Sequence, residues 1–246
     1  MTVVPQPILH PYGDGALIAL FDDVISEDSY RRVRGLPEAL EADPAPGQEE
    51  LIPAYTSLVV VFDPAVTDYA AVEREVRIRA ARAADSGNPR IRVVRIPVCY
   101  EPPYAPDLED VARHAGLSRE EVVSIHASGN YLVYMLGFTP GFPYLGGLSP
   151  RIAAPRRASP RTKVPAGAVG IADQQTGIYP LESPGGWNII GRTPAVLFDP
   201  SRTPPALLAP GQYIRFVPIS AEEFTNLAGA AEADAWRPEI VEEERL

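Results

Sequence analysis

Five cations, Arg151, Arg156, Arg157, Arg161 and Lys163, lie close together inside a stretch, residues 122–172, that holds no Asp or Glu. In a chain of net charge −10 this asymmetry points to an anion meeting the segment. An arginine fork matches a carboxylate or phosphate with two parallel hydrogen bonds, whereas lysine acts as a point charge. Lys163 is the sole lysine of the chain. Prolines at 150, 155, 160 and 165 exclude a helix, because each removes a backbone donor and fixes φ. The stretch reads as an extended rigid arm, with Arg161 and Lys163 on one side where it is strand-like. Two readings stay open: an anion site, or a basic loop paired with the acidic remainder of the chain.

Other residue types with chemical potential surround this arm. The pairs Gly146-Gly147 and Gly185-Gly186 let backbone amides approach an anion, although turn formation accounts for such pairs as well. Neither leads into the Gly-Lys-Ser/Thr of a phosphate-binding loop. His126, near the end of a helix, titrates in the range useful for acid–base work, with Tyr131 and Tyr134 following in a strand. A histidine bonded to helix-end carbonyls is the alternative. Gln175-Thr176 offers neutral hydrogen-bonding groups between two strands, to line a pocket or to make a turn. Ser-His-Asp order, Gly-x-Ser-x-Gly and His-Glu-x-x-His do not occur. One cysteine, Cys99, and three scattered histidines leave no metal site to expect.

The elements that must position these groups fall into two parts. Strand signals at 16–21, 51–54, 58–62 and 91–98 alternate with two helices. The first runs from a Ser26 cap to about residue 40, where Gly35 and Pro37 threaten to split it; the second starts after Thr67 or Asp68. Tyr69, Val72, Val76, Ala80 and Ala83 form its apolar stripe, with Glu73–Arg77 and Glu75–Arg79 as i,i+4 pairs. Ser86-Gly87-Asn88-Pro89 stops it. The order βαββαβ is the ferredoxin-like pattern.

Beyond Pro97 two short helices are expected at 107–115 and 118–128, the second opened by a Ser118…Glu121 capping box. Glycine and proline then become dense, yet Phe138, Phe142, Tyr144, Tyr179 and Trp187 argue against disorder. Short β-type runs at 131–137, 168–172, 177–180, 187–191, 195–199 and 213–218 suggest a barrel or sandwich. A Ser220…Glu223 box begins a last helix, and 239–246 reads as a frayed acidic tail. The expected domains are therefore 1–96, 97–220, and 221–246 for the helix and tail.

Composition narrows the function. The 246 residues are 46% hydrophobic and 22% charged, as in an ordinary globular protein. The apolar runs 16–21 and 58–62 fall far short of the roughly 20 residues of a membrane span, and residues 1–11 lack the pattern of a signal peptide. The acidic balance disfavours nucleic acid and anionic membranes as partners. A cytoplasmic location is the expectation.

One set of motifs is more particular. His126, Tyr131 and Gly137-Phe138-Thr139-Pro140-Gly141-Phe142-Pro143-Tyr144-Leu145-Gly146-Gly147-Leu148 are followed by Pro155-Arg156-Arg157, Pro160-Arg161 and Val164-Pro165-Ala166-Gly167. Then come Gln175-Thr176-Gly177-Ile178-Tyr179-Pro180, Ser183-Pro184-Gly185-Gly186-Trp187 and Gly191-Arg192-Thr193-Pro194. Together with Ile96-Pro97-Val98-Cys99-Tyr100 and Asp107-Leu108-Glu109, these resemble the family of the 5-oxoprolinase B subunit, also called KipI or allophanate hydrolase subunit 1. The resemblance covers about residues 12–218.

It implies an α+β chain with an N-terminal ferredoxin-like domain and a C-terminal cyclophilin-like β-barrel; it does not imply prolyl isomerase activity. In the family, the B subunit works with the C subunit, similar in fold, and with the A subunit. The complex opens 5-oxoproline to L-glutamate with ATP hydrolysis, Mg accompanying the nucleotide; the chain alone is expected to be nearly inactive. Two alternatives follow from the same resemblance: a carboxyltransferase subunit of a biotin-dependent urea or amide carboxylase, and a KipI-like inhibitor of a sporulation histidine kinase. Charge and position suggest the site residues. Arg161 and Lys163 would meet the γ-phosphoryl group or the substrate carboxylate, His126 and Tyr131 would position substrate or water, and Arg156 or Arg157 would face a partner. Gln175, Thr176, Gly185, Gly186 and Arg192 complete the candidate binding set.

Overall fold

In the first part of the chain, strict alternation of apolar residues builds a sheet with one buried face. The structure, a computed structural model, describes residues 6–24, 26–83 and 90–244. It divides into two compact units between Pro89 and Arg90. The first holds β1 (Ile8–Pro11), β2 (Ala16–Leu20), α1 (Glu27–Ala42), β3 (Gln48–Pro53), β4 (Ser57–Phe62) and α2 (Tyr69–Ala83). The strands form an antiparallel sheet in the order β1-β2-β4-β3. Leu17 and Ala19 of β2 and Leu58, Val60 and Phe62 of β4 point to one side, where Leu36 and Leu40 of α1 and Val72 and Val76 of α2 cover them.

Ser26 caps α1 through the Ser29 amide, and the helix runs unbroken through Pro37. That proline deletes one helical hydrogen bond, and the buried stripe Val33–Leu36–Leu40 holds the helix in place across the gap. Both expected i,i+4 pairs of α2 form, Arg77 to Glu73 at 2.7 Å and Arg79 to Glu75 at 2.6 Å. The expected stop at 86–89 lies outside the described residues.

The second unit starts with β5 (Arg90–Cys99) and continues with α3 (Leu108–Ala115), α4 (Arg119–Ser128), β6 (Tyr131–Leu136), β7 (Pro143–Gly146), β8 (Arg161–Val164), β9 (Ala168–Ala172), β10 (Gln175–Ile178), β11 (Ser183–Gly185), β12 (Asn188–Arg192), β13 (Tyr213–Ile219), α5 (Ala221–Glu232) and β14 (Ile240–Glu244). Strands β12-β9-β10-β7-β6-β13-β5 follow one another around a barrel, and a β12–β5 pair at Arg192 and Cys99 closes it. Closure leaves no free edge among these seven strands. Val94, Ile96, Val98, Val133, Ile171, Ile190 and Phe216 are among the side chains of the core, which α3 and α4 extend with Leu108, Val111 and Val122. The expected capping boxes of α4 and α5 are both made. A small separate ribbon, β8 with β11, carries part of the basic arm.

The two-part plan of a small helix-backed sheet and a closed barrel stands, with four corrections. The run 91–98 was expected to complete the first sheet, but it is β5 of the barrel, paired in parallel with β13. The edge beside β2 that a βαββαβ chain fills with its last strand is occupied by β1, which arrives by a short hairpin. The acidic end is a strand: β14 pairs antiparallel with β5 from Ile240–Val94 to Glu244–Arg90, and Arg215 of β13 grips Glu243 with two bonds of 3.0 and 3.1 Å. Finally, the run 195–199 contributes one isolated bridge, Phe198 to Ala206, rather than a strand.

Barrel closure sets a steric demand on β12. A Cβ on Gly191 would stand 2.6 Å from Cγ1 of Val98 and 3.0 Å from the carbonyl oxygen of Cys99, so the bare backbone lets β12 reach β5. Gly191→Ala is expected to destabilise the protein by about 1–3 kcal/mol in urea unfolding. Gly229→Ala, inside α5 with open space around the new methyl, is expected to stabilise it by up to about 1 kcal/mol.

Candidate functional site

Asp107 stands at the N-cap of α3, yet its side chain makes no capping bond. The carboxylate turns inward instead, with its side chain only 3% exposed. Oδ1 accepts from Arg157 Nη1 at 2.6 Å and from Arg161 Nη2 at 2.7 Å; Oδ2 accepts from Arg161 Nη1 at 2.8 Å and from the Ile189 amide at 2.7 Å. The Asp107 amide in turn donates to the Ile189 carbonyl. A buried carboxylate is tolerated when it is paired and fully hydrogen-bonded, and this one is both. The hydrogen bonds to Asp107 also hold the Arg161 guanidinium more firmly protonated.

This pin fixes the proline arm against α3 and β12. The Arg157 amide donates to Gly186, whose neighbour Gly185 leaves room for the Tyr179 hydroxyl. Tyr179 is buried, which pushes its phenol up, although the Trp187 amide and the charges of Arg156 and Arg161 act against that rise. Beneath lie Phe142, Tyr179 and Trp187 in mutual edge-to-face contact. Between the arm and α3 opens a cleft of about 430 Å³. Val111, Ala154 and Pro155 supply apolar wall, and Arg156, Arg157 and Asn188 supply polar groups. Arg157 keeps its Nε buried with no partner.

The structure thus brings Arg156, Arg157, Arg161, Gly185 and Gly186 to one place and sends the other expected residues elsewhere. Lys163 does not join Arg161. A bulge in the β8–β11 ribbon adds a residue between Arg161 and Val164 and breaks the alternation that would align the two cations. Lys163 pairs with Glu182 at 2.9 Å and stays 73% exposed. Arg161 itself spends both terminal nitrogens on Asp107, so it is a positioning residue for the arm. Arg192 donates from Nε to the Ala166 carbonyl and lies over the Phe224 ring. Gln175 sits on β10 opposite Ala172.

His126 and Tyr131 are in the barrel interior, not at a surface. The imidazole is fully buried and stacks on Phe216 at 4.4 Å. Thr176 donates its hydroxyl proton to the Gly170 carbonyl, so its oxygen must accept from His126 Nε2–H at 2.9 Å. Nδ1 then accepts from the Tyr100 hydroxyl at 2.8 Å. Tyr131 donates to the His126 carbonyl. With both ring nitrogens taken up by protein, His126 holds neither substrate nor water. Two residues escaped sequence reasoning. Asp107 entered only as the first residue of the expected helix 107–115 and of the motif Asp107-Leu108-Glu109, with no role assigned, and Asn188 carries no signal beyond its place after Trp187.

Three measurements check this geometry. Burial drives His126 down to about 3 from 6.5. Between those values the unfolded chain takes up a proton that the folded chain refuses, so stability is lost as pH falls below 6.5. The slope from this residue reaches about 1.4 kcal/mol per pH unit. Urea unfolding from pH 7.5 to 5.5 should show that loss in the wild type and a flatter profile in His126→Gln. At the pin, Asp107→Asn should cost roughly 3 kcal/mol, because two guanidinium groups lose their shared counterion. Lys163→Ala should change stability by less than about 1 kcal/mol.

Comparison with known proteins agrees with the fold and with the motifs. The family described as carboxyltransferase domain, subdomain C and D, matches residues 7–208. The 5-oxoprolinase B subunit of Bacillus subtilis (strain 168) is 46% identical over 234 residues, covering 91% of this chain and 97% of that protein. The 5-oxoprolinase B subunit of Escherichia coli O157:H7 is 42% identical over 207 residues, covering 84% of this chain and 93% of its own. Among solved structures, TTHA0988 superposes with a TM-score of 0.73 at 40% identity over 84% of this chain, which spans 40% of that longer one. On these matches the chain belongs to the carboxyltransferase-domain family of subdomains C and D and, within it, to the B subunits of 5-oxoprolinase.

Proposed function

We propose that this chain is the B subunit of an ATP-dependent 5-oxoprolinase, acting with the A and C subunits to open 5-oxoproline to L-glutamate. The observation that carries the reading is the match along nearly the full length of a named B subunit, 91% of this chain against 97% of the relative. In the reaction water adds to the lactam carbonyl, the ring C–N bond breaks, and the nitrogen leaves as the α-amine of glutamate. A five-membered lactam resists that opening, and ATP hydrolysis supplies the driving force. Substrate and product both carry a carboxylate, which a cationic cleft suits.

ATP and its Mg²⁺ are assigned to the assembled enzyme rather than to this chain's cleft. The ion pairs at the cleft join four guanidinium groups, Arg113, Arg156, Arg157 and Arg161, to three carboxylates, Asp110, Asp173 and Asp107. A surplus of one positive charge falls short of a triphosphate. Among the described residues no group of three or more His, Cys, Asp or Glu is placed to hold a metal ion. Arg161 acts in this reading by fixing the Asp107 carboxylate that Arg157 bonds to, and Lys163, exposed on the ribbon, is free to approach a neighbouring subunit once Glu182 lets go.

The test is ATP hydrolysis by this chain co-purified with homologues of the A and C subunits. Release of ADP that depends on 5-oxoproline, with a matching amount of glutamate, is the expected result. A stable complex that hydrolyses no ATP in response to 5-oxoproline would overturn the reading and turn attention to the carboxyltransferase alternative.

A further inference from the structure

The cleft between α3 and the arm is more specific than a basic patch. Arg156, Arg157 and Asn188 in its wall are partly committed by the fold, and the donors and acceptor they leave over describe a ligand. Arg157 gives Nη1 to Asp107 and retains other donors, including a buried Nε that bonds to nothing. Arg156 meets Asp173 only through Nε, at 3.4 Å, with its side chain 61% exposed. Both amide protons of Asn188 are spent, on the carbonyls of Pro155 at 2.8 Å and Ile171 at 3.3 Å. An amide whose N–H groups are used offers its oxygen alone, so Asn188 presents an acceptor to the cleft. Val111, Ala154, Pro155 and Ala158 supply apolar wall, and His114, Ser159 and Asp110, the last paired with Arg113, complete the lining.

We propose that this cleft binds a small monocarboxylate that carries an N–H beside its carboxyl group, with Arg156 and Arg157 on the carboxylate and Asn188 Oδ1 on the N–H. The inference rests on the 5-oxoprolinase reading and narrows it, placing the lactam acid on this chain. Three features select this class. The single surplus charge at the cleft balances one anion and not a polyphosphate. Guanidinium donors suit carboxylate oxygens. The amide acceptor discriminates a ring N–H from an isosteric methylene or ether, since either would leave Oδ1 without a partner. The cleft's volume of about 430 Å³ lies within the usual range for small-molecule sites.

The experiment uses the assembled complex and two substitutions at exposed positions, Arg156→Gln and Ala158→Glu, which should leave the unfolding midpoint near that of the wild type. Glutamate production gives KM and kcat, and calorimetric titration gives direct binding of 5-oxoproline, of 2-pyrrolidinone, which lacks the carboxylate, and of inorganic phosphate. Each substitution is expected to raise the KM for 5-oxoproline by about tenfold with kcat little changed, as loss of a hydrogen bond to a charged group does. 2-Pyrrolidinone and phosphate should bind at least about tenfold more weakly than 5-oxoproline. Wild-type KM in both variants, with glutamate still made, overturns the cleft and leaves the proposed function standing. A wild-type complex that makes no glutamate overturns the function, and the titration then decides the cleft. Binding of 5-oxoproline that both variants weaken supports it; no binding, or binding they leave unchanged, refutes it.

Discussion

A single carboxylate, Asp107, ties together four places in the chain: the start of α3, the amide of Ile189 on β12, Arg157 in the arm, and Arg161 at the head of β8. The arm depends on this tie because its prolines cannot donate backbone hydrogen bonds and its position must be set by side chains. Burial makes the tie strong in the sense that matters here. Removing the carboxylate strands two cations in a half-buried place, and removing either cation leaves an anion short of partners. The cost of desolvating three charges is offset because every lone pair of Asp107 that the structure defines has a donor close by.

The chemistry-bearing residue types are divided between building and binding. His126, the residue with the most useful acid–base range, is a core element whose two nitrogens join Tyr100 and Thr176 across the barrel. Arg161 fixes the Asp107 carboxylate that Arg157 shares, and Arg192 anchors the segment around Ala166. The aromatic residues of the glycine-rich stretch, Phe142, Tyr179 and Trp187, pack into a second small cluster with Val164 and Ile189. This cluster carries the ribbon from beneath, while the Asp107 pin holds the arm from the side. What is left over after these commitments is a cleft with one surplus positive charge and one amide acceptor.

Local signals were legible and long-range ones were not. The capping boxes at Ser118 and Ser220 and the pairs along α2 involve residues three or four apart, so the sequence alone contains all their partners. The apolar run at 91–98 is different. Its β-branched residues fit any sheet, and which sheet it joins is decided by β13, more than a hundred residues later. The acidic end looked frayed because its cationic partners, among them Arg95 and Arg215, lie on strands remote in sequence. Arg161 and Lys163 were aligned by the period of a regular strand, and a single extra residue in β8 undid that alignment. Asp107 was the hardest to see, since its partners Arg157, Arg161 and Ile189 lie 50, 54 and 82 residues further along the chain.

Hydrogen exchange at the arm tests the central role of Asp107 most directly. The Arg157 amide is bonded to Gly186 and should be protected in the wild type. In Asp107→Asn the account predicts fast exchange at Arg157 and its neighbours in 156–161, with protection kept in the barrel strands β9 and β12. Undiminished protection of the Arg157 amide in that variant would contradict it, because the arm would then hold its place without the carboxylate.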